Sequence, residues 1–214
     1  MKSVLIIGVG QFGSHIARRM NRMHCEVMAV DVNEDRINAI LPDVTNAQIG
    51  DSTNADFMHS LGIPDYDVCI VTISGNFQNS LETTALLKEL GAVRVIARAQ
   101  NDVQEKFLLR NGADETVYPE KQMAIRLATK AASDSILDYI QMDKKVSIYE
   151  MRVPEEWDGK AISSLDIRRK YQLNIIAVRS NDELTVPMPD TVLHDSDDVL
   201  VIGSLKDIQK CFRI

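Results

Sequence analysis

A glycine-rich turn near the start of the chain has the residue types and the spacing of a phosphate-binding site. Gly8-Val9-Gly10-Gln11-Phe12-Gly13 fits the pattern G-x-G-x-x-G, between an apolar run, Ser3–Ile7, and a stretch with helical spacing that reaches Met23. In this context the first glycine allows a tight turn, the second lets the backbone approach a pyrophosphate, and the third lets the helix pack closely on the strand. The amino end of the helix offers N–H groups to the phosphate. The alternative is a glycine turn without a ligand.

An acidic residue follows at the spacing expected of a ribose ligand. Asp31 comes directly after the predicted strand Val27–Val30 and lies 18 residues beyond Gly13, close to the ~20 that is typical of such sites. A carboxylate there accepts hydrogen bonds from both ribose hydroxyls and repels a 2′-phosphate. NAD, ATP, ADP or AMP is therefore favoured over NADP. The alternative is a solvated aspartate.

Three further segments follow predicted strands. Gly50-Asp51-Ser52-Thr53-Asn54 follows the third strand, Thr72-Ile73-Ser74-Gly75-Asn76 follows the fourth, and Arg98 ends the fifth. Ligands of open α/β sheets bind at the carboxyl ends of the strands. We therefore expect these segments to contact adenine, ribose or phosphate, the alternatives being plain connecting loops and a solvated or ion-paired arginine.

The elements that must position these residues alternate between strands and helices in the first part of the chain. The predicted strands are Val4–Ile7, Val27–Val30, Ala47–Ile49, Val68–Ile73, Val93–Ala97 and Glu115–Val117. The predicted helices are Gly13–Met23, Glu34–Leu41, Asn54–Leu61, Asn79–Leu90 and Val103–Arg110. This alternation predicts an α/β fold, a Rossmann-like doubly wound parallel sheet.

The pattern changes after Tyr118-Pro119-Glu120. A long crossover helix is predicted over roughly 121–140, and a small α+β lobe follows it. Its predicted strands are Ser147–Val153, Ile175–Arg179, Glu183–Val186 and Val199–Ile202, and its predicted helices are Ile162–Tyr171 and Leu205–Phe212. We predict two domains, 1–136 with the nucleotide site and the crossover helix, and 137–214. Because the second is small for an independent core, we expect it to bury a face against a second copy of the chain.

Composition and missing motifs exclude several classes of protein. The chain has 214 residues and a net charge of −7, which disfavours nucleic-acid binding. No apolar run approaches the ~18 residues that a membrane span needs. Cys25, Cys69 and Cys211 fit neither a disulfide framework nor a zinc site, so we expect reduced cysteines in the cytoplasm. The four histidines share no motif and hydrolase, zincin and P-loop signatures are absent, so no catalytic residues are predicted.

Several short motifs together resemble RCK domains, the regulators of potassium conductance. They are the glycine turn, Val30-Asp31-Val32-Asn33, Gly50-Asp51-Ser52-Thr53, Arg98-Ala99-Gln100-Asn101, and Gly112-Ala113-Asp114 with Tyr118-Pro119-Glu120-Lys121. The resemblance covers essentially the whole chain and points to the regulatory subunits of bacterial Trk/Ktr potassium-uptake systems. It implies a homodimer or octameric ring docked on a membrane-embedded potassium transporter at the inner face of the cell membrane. Nucleotide exchange would then change the shape of the ring and gate ion flux.

The resemblance also assigns ligands. The glycine turn, Asp31-Val32-Asn33, the segments 51–53 and 72–76, and Arg98 would hold NAD(H) or ATP/ADP. Ktr-type subunits often carry arginine at the position of Gln11, whereas Trk-type chains linked to NAD(H) often carry glutamine, so NAD(H) and ADP both stay open. Glu120 matches an acid at the dimer interface that can hold a divalent cation. The alternative for Glu120 is an acid that stabilises a helix amino end.

A second ligand is implied for the C-terminal lobe, since some Ktr relatives bind cyclic di-AMP there between two subunits. The comparable region contains Ile162, Ile167, Arg168, Asn174, Ile175 and Pro187. The alternative is that these residues belong to the core or to a dimer interface.

Two other functions compete with a nucleotide-sensing gate. One is an NAD-dependent oxidoreductase with a small second domain, which would be distinguished by turnover and for which the second lobe offers no obvious acid–base pair. The other is a stand-alone nucleotide sensor that acts on another protein.

Overall fold

The computed structural model describes residues 1–143 and 145–214. The chain divides into two compact units, Met1–Glu120 and Lys121–Ile214. The predicted domain boundary after residue 136 stays a prediction.

The first unit is built on a parallel sheet. Within Met1–Glu120, all of which is described, six strands pair in the order β3-β2-β1-β4-β5-β6. Their bounds are β1 Ser3–Ile7, β2 Glu26–Asp31, β3 Asn46–Ile49, β4 Val68–Val71, β5 Val95–Arg98 and β6 Glu115–Val117. This order is that of the dinucleotide-binding fold, in which the direction of winding reverses between β1 and β4. The predicted doubly wound sheet is confirmed.

Asparagine side chains determine where four of the helices begin. The helices of this unit are α1 Gln11–Arg22, α2 Glu34–Ile40, α3 Ala55–Ser60, α4 Phe77–Glu89 and α5 Asp102–Arg110, with short 3₁₀ turns at Leu41–Asp43 and Ile63–Asp65. The side chains of Asn33, Asn54, Asn76 and Asn101 accept hydrogen bonds from N–H groups in the first turns of α2 to α5. Each cap satisfies amide groups that have no partner inside the helix. The four helices therefore begin within six residues of the strand ends that border the site.

The central strands are buried on both faces. Leu5 and Ile7 belong to one apolar cluster, and Val4 and Ile6 to another. Because side chains alternate along a strand, these clusters lie on opposite faces of the sheet. The result is a rigid base for the loops at the carboxyl edge.

The second unit is built on an antiparallel sheet. Among residues 121–143 and 145–214, five strands pair in the order β11-β10-β13-β8-β7, and a two-stranded sheet joins β12 to β9. The strands are β7 Ile136–Gln141, β8 Ser147–Arg152, β9 Lys160–Ala161, β10 Asn174–Ser180, β11 Glu183–Thr185, β12 Val192–Leu193 and β13 Asp198–Gly203. The helices are α6 Pro119–Ala131, which begins in the first unit, α7 Ile162–Leu165, α8 Ile167–Tyr171 and α9 Leu205–Phe212, with a 3₁₀ turn at Glu155–Trp157.

Two predicted helices of this region are present with other bounds than predicted. The helix expected over 121–140 ends at Ala131, and Ile136–Gln141 is a strand paired with β8. The helix expected over Ile162–Tyr171 is divided at Asp166, whose φ of +53° lies in the left-handed region. The predicted helix Leu205–Phe212 is confirmed residue for residue.

A separate apolar core supports the second unit. Met151, Leu173, Val199, Val201 and Ile208 are fully buried in it. In residues 1–143 and 145–214, no helix combines the length and the apolar character that a membrane crossing requires.

Candidate functional site

A cavity of about 780 Å³ opens at the carboxyl edge of the parallel sheet. Its wall is formed by residues at or after the ends of β1, β2, β3, β4 and β5, together with the first turns of α1, α2, α4 and α6. The residues are Ile7, Gly8, Gly10, Gln11, Phe12, His15, Asp31, Val32, Arg36, Gly50, Asp51, Ser52, Thr72, Ile73, Ser74, Gly75, Asn76, Asn79, Arg98, Pro119 and Glu120. The structure thus brings together segments that are up to 113 residues apart in the chain.

The glycine turn needs glycine at two positions. Gly8 has a φ of +88°, which side chains rarely adopt. At Gly13 a Cβ atom would overlap the carbonyl oxygen of Gly8, so only glycine lets α1 approach the turn this closely. Gly10 precedes α1 and makes no side-chain cap, which leaves the first N–H groups of α1 to be satisfied by water or a ligand. An anion at this helix end would be stabilised.

Asp31 is buried beside the turn, with 5% of its surface exposed. Its Oδ2 accepts a hydrogen bond of 2.8 Å from the Val9 N–H, its Oδ1 accepts one of 2.9 Å from the Asn33 N–H, and Arg36 Nη1 lies 3.5 Å from Oδ2. A carboxylate has about four acceptor positions. Asp31 therefore holds the glycine turn and still has capacity for ribose hydroxyls in the cavity.

Arg98 brings a positive charge to the cavity from the end of β5. Its Nη2 donates to Glu120 Oε1, and its guanidinium carbon lies 5.4 Å from the ring centroid of Phe12. Its side chain is 14% exposed. Among the described residues, the Nε of Arg98 is one of two buried side-chain polar atoms without a hydrogen-bond partner. Such an orphaned donor is costly unless a ligand or water satisfies it, so it fits an anionic group in this cavity.

Glu120 is the predicted metal ligand. In the structure its carboxylate, 55% exposed, pairs with Arg98 at the start of α6. In the described part of the chain no group of three or more His, Cys, Asp or Glu side chains is placed to hold a metal ion. The cation site predicted at Glu120 stays a prediction.

The loop after β3 is held by its own side chains. Asp51 Oδ1 accepts hydrogen bonds of 2.9 Å from the N–H and 2.7 Å from the hydroxyl of Thr53, and these bonds lower the pKa of Asp51. Ser52 Oγ lies 2.8 Å from Thr83 Oγ1 of α4 in a buried contact. These contacts keep Asp51 ionised and fix the loop against α4.

Most predicted nucleotide-site residues lie on the cavity wall, but Gly13, Asn33 and Thr53 do not. Gly13 packs α1 on the turn, Asn33 caps α2, and Thr53 binds Asp51. Gly50, in the segment expected after β3, also lies on the wall, whereas sequence reasoning missed Ile7, His15, Arg36, Asn79 and Pro119. Helical spacing could have indicated two of them, because His15 lies one turn after Gln11 and Asn79 lies three residues after Asn76.

The six residues predicted to bind cyclic di-AMP have different surroundings. Ile167 is buried in the core of the second unit, and Ile162 and Ile175 pack against that core. Arg168 and Asn174 are exposed, on α8 and β10 respectively, and Pro187 is half-buried after β11. Arg168 and Asn174 therefore offer polar groups at the surface, whereas Ile167 contributes to the packing of the core.

Two family models match the chain. The TrkA-N domain matches residues 4–119, and the TrkA-C domain matches residues 148–214. Among characterised proteins, the chain is 39% identical to Ktr system potassium uptake protein C and 35% identical to Ktr system potassium uptake protein A, both of Bacillus subtilis strain 168. Each match extends over 210 residues and covers 98% of this chain and 95% of the relative.

A solved structure with the same fold is the GsuK channel bound to NAD. It superimposes with a TM-score of 0.66 at 20% sequence identity, and the match covers 96% of this chain and 38% of the channel chain. This chain therefore spans well under half of the length of that channel, and the likeness concerns the fold.

Proposed function

The chain belongs to the TrkA/Ktr family of potassium uptake proteins, and we propose that it is the regulatory subunit that gates a potassium transporter in response to an adenine nucleotide. The proposal is supported chiefly by three groups that border one cavity. They are the glycine turn with the uncapped amino end of α1, the carboxylate of Asp31, and the guanidinium of Arg98. Amide donors and a cation suit phosphate, and a buried carboxylate suits a ribose diol.

The nucleotide that we propose is NAD(H) or ATP/ADP. Gln11 is neutral, so the positive charges on the cavity wall come from Arg98 and Arg36. Arg36 lies 3.5 Å from Asp31, at the ribose end, whereas Arg98 faces Phe12 of the glycine turn. We therefore assign the phosphate end of the site to Arg98.

The partners follow from the family. The regulatory subunit would act on the cytoplasmic side of the membrane, on a membrane-embedded Trk/Ktr subunit, as a homodimer or an octameric ring. A divalent cation at Glu120 would be shared between two copies. Cyclic di-AMP would bind between two C-terminal lobes, where the exposed Arg168 supplies a charge that suits its phosphates.

A thermal-shift panel tests the proposal with the purified chain. ATP, ADP, AMP, NAD, NADH and cyclic di-AMP are compared, each followed by calorimetry. A ligand at a hundredfold excess over its Kd raises the free energy of unfolding by ~2.7 kcal/mol. We expect at least one adenine nucleotide of the panel to stabilise the chain. If no adenine nucleotide binds, the proposed function is wrong.

Flux and turnover measurements separate the gate from its competitors. In liposomes that hold the cognate transporter, exchange of the bound nucleotide should change potassium flux. A sustained loss of NADH absorbance with candidate substrates would favour an oxidoreductase. Nucleotide binding without any effect on flux would favour a sensor with another target.

A further inference from the structure

Thr72 touches the glycine turn from the end of β4. Its hydroxyl donates to the carbonyl oxygen of Gly8 and lies 3.2 Å from the carbonyl oxygen of Ile7, and its N–H donates to the same Ile7 oxygen at 2.8 Å. Thr72 is 4% exposed. A hydroxyl has one hydrogen to donate. Since that hydrogen is used inside the protein, Thr72 has no donor left for a phosphate oxygen, although it borders the cavity.

The peptide group between Gly8 and Val9 is held at both of its ends. Its carbonyl accepts from Thr72, and its N–H donates to Asp31 Oδ2 at 2.8 Å. The preceding N–H, of Gly8, donates to the Val30 carbonyl at 2.7 Å. Anchors from β2 and β4 therefore fix the plane of this one peptide group. The orientation of the next amides, at Gly10 and the start of α1, depends on that plane.

The same hydroxyl also lies close to Gly13 in the first turn of α1. A Cβ atom at Gly13 would collide with both the Gly8 oxygen and the Thr72 hydroxyl, so the first turn of α1 rests on this hydrogen bond. The Thr72 hydroxyl is thus in contact with the two backbone segments that face a phosphate group in the cavity.

We infer that Thr72 is a positioning residue, which holds the Gly8–Val9 peptide so that the amides of the turn and of α1 point at the nucleotide phosphates. This inference rests on the proposed nucleotide site. Thr72 then raises the affinity for phosphate by orienting backbone amides, and it makes no direct contact with adenine or ribose. The contribution of Thr72 to the free energy of binding should therefore increase with the number of phosphates in the ligand. For the nucleoside, which has no phosphate, it should be zero.

Replacement of Thr72 by valine tests this inference. Calorimetry, or competition with a fluorescent nucleotide, gives the Kd of ADP, AMP and adenosine. In Thr72→Val we expect the Kd of ADP to rise about tenfold, the size of one lost hydrogen bond. The Kd of adenosine should change less than about twofold, and that of AMP by an intermediate factor. Thr72→Ser keeps the hydroxyl and should restore the ADP affinity.

A matched control is Thr84→Val. Thr84 is fully buried in the same unit, and its hydroxyl donates to the Ser80 carbonyl at 2.7 Å, inside α4 and away from the turn. This variant loses a comparable hydrogen bond and should keep the wild-type Kd for all three ligands. If Thr72→Val does not fold, Thr72→Ala provides the same comparison, because alanine places no methyl group against the carbonyl oxygen of Gly8.

Two results would overturn the inference. The first is an equal loss of affinity for adenosine and ADP, which indicates a general structural effect. The second is wild-type ADP affinity in both Thr72→Val and Thr72→Ala. A wild-type chain that binds no adenine nucleotide would instead refute the proposed function, so the two failures are distinguishable.

Discussion

Replacing Arg98 by alanine removes the guanidinium at the phosphate end of the cavity. Three features are lost together: the ion pair with Glu120, the position over the Phe12 ring at 5.4 Å, and the Nε donor that has no partner among the described residues. The first two stabilise the fold, and the third is available to a ligand. The change should therefore affect nucleotide affinity more than it affects folding.

The expected magnitudes follow from these contacts. A hydrogen bond to a charged group contributes ~1.5–3 kcal/mol, which corresponds to a rise of about 10- to 100-fold in Kd. The ion pair is partly exposed and contributes ~0–1 kcal/mol, and the contact with Phe12 adds ~0.5–1 kcal/mol. Because Glu120 is 55% exposed, water solvates its carboxylate once Arg98 is gone. We expect the free energy of unfolding to fall by about 0.5–2 kcal/mol in total.

Calorimetry with ADP and adenosine is the assay, and Arg94→Ala is the control. Arg94 precedes β5 at its other end, where its Nη2 lies 2.5 Å from Glu115 Oε2 in an ion pair that is half exposed. This variant loses a comparable pair far from the cavity and should bind ADP normally. In liposomes, Arg98→Ala should still dock on the transporter and lose the dependence of flux on nucleotide. Wild-type ADP affinity, or an equal loss for adenosine, would refute this account of Arg98.

Three further outcomes can be measured. Asp31→Asn should raise the Kd of every adenine nucleotide about tenfold. It should also lower the free energy of unfolding, since the N–H groups of Val9 and Asn33 lose a charged acceptor. Unchanged affinity in calorimetry would contradict the assignment of Asp31 to the ribose. Light scattering should show a homodimer at minimum and an octamer under favourable conditions, and a monomer mass at every concentration would contradict the ring. The pKa of Asp138 is lowered from 3.8 by its hydrogen bonds to Arg126. Its stabilising effect is therefore present above pH 3.8 and lost as the pH falls through the folded pKa. Urea unfolding should separate wild type from Asp138→Asn at pH 7, and the two should converge as the pH falls through that pKa; a constant difference would exclude the ion pair as the cause.

The sequence by itself determined the first unit and most of its site. The glycine spacing, the position of Asp31 and the alternation of apolar strands with helical stretches are local patterns, and each follows from short-range geometry. The predicted strand Glu115–Val117 agrees with the structure residue for residue. Ligands of a parallel sheet bind at the carboxyl ends of its strands. Because this rule requires only that the strands be parallel, it was enough to predict that the segments after β3 and β4 border one cavity.

Only the tertiary structure decided features that depend on distant partners. The helix predicted over 121–140 ran on through Ser133-Asp134-Ser135 into Ile136–Gln141. That last segment is a strand because β8, a distant partner, supplies its hydrogen bonds. The pairing of Arg98 with Glu120 joins residues 22 positions apart, at the ends of two elements whose meeting no local pattern encodes. The hydroxyl of Thr72 acquires its role in the same way. Its acceptor, the Gly8 carbonyl, lies 64 residues away, and only the pairing of β1 with β4 places the two side by side.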